Sequence, residues 1–151
     1  MNRLAPYACM FLCTLLATTG FSQGTGSAKP KQFNNYPDVI NCSEAELSKV
    51  FGSPAGQTIS LSFSDNFLFS GDITSNVVRF SNLQSAVIKS PGFNNTVFSI
   101  SKRTNPDNSI TYLGHIINMN YFDGFELKKN AGTYQLVKIE TDKVIPLCAR
   151  N

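Results

Sequence analysis

The chain has 151 residues, a formal charge of +3 and 15% charged residues. That length fits one domain. A charge so close to zero, with no basic stripe, excludes a dedicated nucleic-acid binder.

Met1 to Arg3 form a short positive start, and LAPYACMFLCTLLA, residues 4–17, is an uncharged apolar run. Small residues follow at Thr18, Gly20 and Ser22. A basic end, an apolar middle and a small-residue exit describe a secretory signal peptide, placed at 1–22. The run falls short of the roughly 20 residues that a spanning helix needs, so a retained anchor is the lesser reading. Lipidation is not expected, because Cys13 follows Leu12 and Cys9 comes too early in the run. Cleavage removes one cation, Arg3, and takes the net charge from +3 to +2.

Residues 23–38 are rich in Gly, Ser, Asn, Lys and Pro and read as a flexible leader. The domain is expected over 39–151. Cys42 and Cys148 survive cleavage, one near each end of it. In an oxidising compartment a disulfide between them is the expectation. By the loop-entropy argument, a bridge closing roughly 100 residues is worth ~4–5 kcal/mol. Two distant cysteines and one histidine make a poor zinc set, so neither metal nor cofactor is expected.

NCSEAELSKVFG predicts a helix at about 44–51. Ser43 caps it, Glu46 reaches back, and Leu47, Val50 and Phe51 face the core. Gly52 is expected to end it in the left-handed conformation, ahead of Pro54. Everything after Gly56 reads as strand and turn. QTISLSF alternates, with Ile59, Leu61 and Phe63 on one face. NFLFSGDI follows, with Gly71 as a bulge, and NVVRF and LQSAVIKS supply two short strands. Pro91-Gly92 marks a turn. Asp123-Gly124 predicts a type I′ hairpin, and Asn130-Ala131-Gly132 a further turn. TYQLVKIE and VIPLC close the chain. The expected fold is mainly β: a small antiparallel sandwich or barrel of about seven to eight strands with one short helix.

FSISKRTNPDNSITYLGHI holds the chain's one histidine, His115. A loop over 105–109 pairs Phe98 with Ile116 and Ile100 with Gly114. His115 then falls beside Ser99 on the polar side, and a one-residue slip breaks the apolar face. His115 is the one candidate for a hydrolase, although no G-x-S-x-G elbow accompanies it. The carboxylates cluster in turns, where local backbone bonding accounts for them. Tyr121 and Phe122, adjacent on the chain, point to opposite faces, so they and Phe125 are candidate ligand contacts near a loop tip. Asn41-Cys42-Ser43 and Asn94-Asn95-Thr96 match the glycan acceptor pattern, and neither is expected to be modified.

The leading expectation is therefore an exported, non-enzymatic binding module in the periplasm, on the cell surface or in the medium. Its partner would be a protein, a glycan or an envelope component, with no transmembrane segment in the mature chain. The rivals are a hydrolase using His115 and a barrel carrying a lipid-like ligand.

Overall fold

The structure is a computed structural model and describes residues 29–144. The proposed signal segment 1–22, the first part of the leader, Cys148 and the expected strand beyond Val144 lie outside the described residues.

Eight strands form one antiparallel sheet: β1 (Val39–Cys42), β2 (Thr58–Ser64), β3 (Phe67–Phe80), β4 (Leu83–Ser90), β5 (Thr96–Thr104), β6 (Ile110–Ile117), β7 (Asp123–Asn130) and β8 (Thr133–Glu140). Helix α1 (Glu44–Gly52) lies between β1 and β2, and one helical turn, α2 (Thr141–Val144), follows β8. The order is β1-β8-β7-β6-β5-β4-β3-β2, an up-and-down meander that curls into a nearly closed barrel. The seam lies between the end strands β1 and β2, where the Ser62 amide donates to Glu46 Oε2 at 3.0 Å. Period-two alternation builds the interior: Leu61, Phe63, Phe67, Phe69, Ile88, Phe98, Ile100, Ile116, Phe125 and Leu136 all point inward and are buried. β6 and β7 share a ladder only from Gly114 to Ile116. Above it the Tyr134 hydroxyl accepts the Tyr112 amide at 3.0 Å and donates to the Ile110 carbonyl at 3.4 Å, satisfying backbone that the splayed strands leave open.

Two plugs close the barrel. At the upper end, α1 turns Leu47 and Val50 inward. Ser43 caps it as expected, but Glu46 pairs with Lys49 and reaches across to β2 rather than back to Ser43. The Lys49 ammonium and the Ser62 amide hold the Glu46 carboxyl below its ordinary range. Gly52 is helical, so the left-handed ending is not used. The Asn76 side-chain amide takes its place, donating to the carbonyls of Val50 and Ser53 at 3.2 and 2.8 Å.

At the lower end the plug is residues 29–37, which corrects the expected free leader. Phe33 has no exposed surface, and its ring packs on those of Tyr36, Phe67, Phe93 and Phe125. The polar composition of the stretch hides two aromatic residues that the barrel interior accepts.

Three further expectations change. NFLFSGDI and NVVRF are one strand, β3. Its bulges lie between Ile73 and Ser75 and between Val78 and Phe80, not at Gly71. A Cβ on Gly71 would stand 2.5 Å from the Lys89 carbonyl oxygen, so that glycine serves close strand approach. Asp123-Gly124 is no turn: it starts β7, paired with Glu140 and Ile139. The type I′ hairpin is at Ala131-Gly132, with φ of 47° and 85° between the paired Asn130 and Thr133. An alanine there bears the left-handed steric cost. Ala131→Gly is therefore expected to raise stability by about 0.5–1 kcal/mol, visible as a melting temperature a few degrees higher.

Candidate functional site

The β5–β6 register is the expected one: Thr104 pairs with Ile110, Phe98 with Ile116 and Ser99 with His115. The next ladder adds a residue that the sequence did not single out. His115 pairs with Glu126, so Ser99, His115 and Glu126 form a row across β5, β6 and β7 on the outer wall. The residue types are those of a hydrolase. The geometry is not. His115 Nε2 stands 3.9 Å from Glu126 Oε1, beyond hydrogen-bond range, and Lys128 occupies Glu126 Oε2 at 2.7 Å. The row lies on the outer wall, and none of its residues lines the open groove beside Phe122 or the hollow beside Val78. Among the described residues no group of three metal-ligating side chains occurs. His115→Ala is expected to change stability by less than about 0.5 kcal/mol, as for a partly exposed side chain outside the core, and to leave any ester or peptide hydrolysis by the preparation unchanged.

The aromatic candidates separate. Phe125 is fully buried among Phe33 and Phe67, which removes it as a contact residue. Tyr121 and Phe122 are half-buried in the loop before β7. The Tyr121 hydroxyl accepts from the Asn94 side chain at 2.7 Å. Phe122 has the Lys31 ammonium 5.9 Å above its ring, and its amide donates to the Pro30 carbonyl. It lines an open groove of about 830 Å³ with Lys31, Tyr36, Val39, Val137 and Lys138. Lys31 in the groove faces the Phe122 ring, and the other two lysines there are paired. Lys138 is bound to Asp38 and to the Tyr36 carbonyl, and Lys143 to Glu140. The buried carboxylate beside it, Asp123, accepts the amides of Gln32 and Phe33 at 2.6 and 3.0 Å. Val144, the last described residue, forms part of the rim.

Cys42 ends β1 with its thiol in the core, and burial pushes it up to about 12. Its expected partner, Cys148, lies outside the described residues.

One surface stands out for what it exposes. The upper half of β3 and the turn into β4 leave Val78 67% and Phe80 68% exposed, with Val77 at 41%. The turn is tied to the neighbouring hairpin by the Thr104 amide, which donates to the Asn82 carbonyl at 2.9 Å. Ile110, opposite Thr104, adds a further exposed apolar side chain. Interleaved with them are Arg79, Lys102 and Arg103. The register puts Val77, Phe80 and Arg103 on the outer face of the sheet and Val78, Lys102 and Ile110 on the inner one, so they form an apolar and basic crown on both sides of the upper rim. The two adjacent valines in NVVRF were the sequence signal, since a strand apolar on both faces needs cover on both. That β2 stops short of them is visible only in the fold.

An eight-stranded antiparallel meander with a filled interior and an exposed apolar crown is the class of protein defined here. Comparison with protein-family models, curated proteins and solved structures finds no match.

Proposed function

We propose that the chain is an exported, non-enzymatic docking module that engages its partner through the β3–β4 crown. The observation that carries this reading is the exposure of Val78 and Phe80 at a hairpin end, whereas every other described phenylalanine is buried or half-buried. The packed interior supports docking over the carriage of a lipid-like ligand. The position of His115 on the outer wall, lining neither the groove nor the hollow, supports it over hydrolysis. Export rests on the basic, apolar and small-residue order of residues 1–22, and it makes the periplasm, the cell surface or the medium the place of action.

A photoreactive amino acid at position 80, introduced in the producing cells, tests the reading. Adducts are expected from position 80 and not from position 68, an equally exposed apolar site on the barrel wall. No adduct at 80, or equal yields at both, would overturn it.

The Cys42–Cys148 bridge belongs to the same proposal. The chain from residue 23, unfolded without reductant, is expected to show no free thiol; two would remove the bridge.

A further inference from the structure

We infer that the crown docks on an anionic phospholipid surface; this rests on the docking reading above and names its partner.

The charges make the first argument. Lys29, Lys49, Lys128, Lys129, Lys138 and Lys143 each have a carboxylate partner. Five described cations have none among the described residues: Lys31 lies in the lower plug and Lys89 further along β4, while Arg79, Lys102 and Arg103 share one end of the barrel with Phe80. Arg79 and Arg103 are also the two described arginines, both exposed. A guanidinium offers a planar fork of donors that fits phosphate oxygens. Lys102 holds its ammonium 5.5 Å from the centroid of the Phe51 ring. The Asp107 carboxylate in the neighbouring hairpin loop accepts the Ser109 amide and hydroxyl at 3.0 and 2.6 Å and is a negative charge that the three cations outnumber. Those bonds, the hydroxyl first, hold it below its ordinary range. Unpaired cations around protruding apolar side chains match anionic headgroups above acyl chains.

The strand edge makes the second argument. β2 leaves β3 at the Thr58–Asp72 pair, and the last backbone bonds on that side join Ile73 to Gly56 and Gln57. Beyond them β3 pairs only with β4, and such an edge invites strand addition by a peptide. Here two bulges twist it and Arg79 sits in the second, which are the devices that discourage pairing. The crown therefore acts through side chains. Four apolar side chains, Val77, Val78, Phe80 and Ile110, are also few beside the roughly 20–30 residues a side of a stable protein interface. Shallow insertion into a bilayer surface asks for no such number.

The test uses residues 23–151, which hold every element of the barrel and omit the apolar run 4–17 that would itself enter lipid. Sedimentation is compared with vesicles of phosphatidylcholine alone and of phosphatidylcholine with about a third phosphatidylglycerol, the latter because each basic residue near an anionic surface strengthens binding roughly fivefold. Binding is expected to the anionic vesicles only and to fall as salt rises. Phe80→Ser, and separately the pair Arg79→Ala with Arg103→Ala, should weaken it at least tenfold, whereas Leu68→Ser should not. All four substituted positions are exposed, so matched melting curves confirm that the variants fold. No preference for anionic vesicles, or binding indifferent to both crown variants, overturns the inference. If vesicles are not bound while position 80 cross-links to a protein in cells, the lipid assignment falls and docking stands. If position 80 cross-links to nothing, docking falls with it.

Discussion

Phe33→Ala is expected to cost about 3–5 kcal/mol, the range for emptying a fully buried aromatic site. The ring has no exposed surface, and its centroid lies 5.0 Å from that of Phe125 and 6.0 Å from that of Phe67. Those residues belong to β7 and β3, which no ladder joins, so the void cannot close by sliding one strand. Urea unfolding of the chain from residue 23 measures the loss. If the lower plug were a passing contact, the midpoint would stay within error of the parent.

Asp123→Ala is expected to cost on the order of 3 kcal/mol through the same plug. Its carboxylate accepts the amides of Gln32 and Phe33, the latter bond buried. Alanine leaves those two donors without a partner where water has little access. Asp123→Asn keeps one acceptor oxygen and should lose less. Because Phe33 and Asp123 hold one segment, the double variant should lose less than the sum of the single ones. Amide exchange gives an independent reading: both substitutions should speed exchange at Gln32 and Phe33 far more than at Ile100, in the middle of β5. Equal acceleration at all three would mean global weakening rather than release of the plug.

The β5–β6 register could be read because Phe98, Ile100, Tyr112 and Ile116 must share one face, and one register allows it. Helix α1 was legible because Ser43 sets its start and Leu47 and Val50 recur at helical spacing. Asp123 was misread because an aspartate before a glycine suits a turn, whereas this one serves amides 90 residues away. No local pattern reports such a partner. Phe33 was hidden for a similar reason: average composition decides whether a segment can fold alone, not whether a finished barrel will accept one ring from it. Ser99 was paired with His115 in advance, but Glu126 entered the row only through the β6–β7 ladder. The crown was not anticipated: NVVRF was read only as a short strand, and only the early end of β2 leaves Val77 and Val78 uncovered.

The account turns on a barrel that is filled by its own side chains, so that recognition takes place outside it. Native mass spectrometry of residues 23–151, purified without detergent from the producing cells, tests this directly. The account predicts one species at the polypeptide mass. A stoichiometric added mass that is released on unfolding and absent from Phe33→Ala would mean that the interior holds a ligand, and would contradict it.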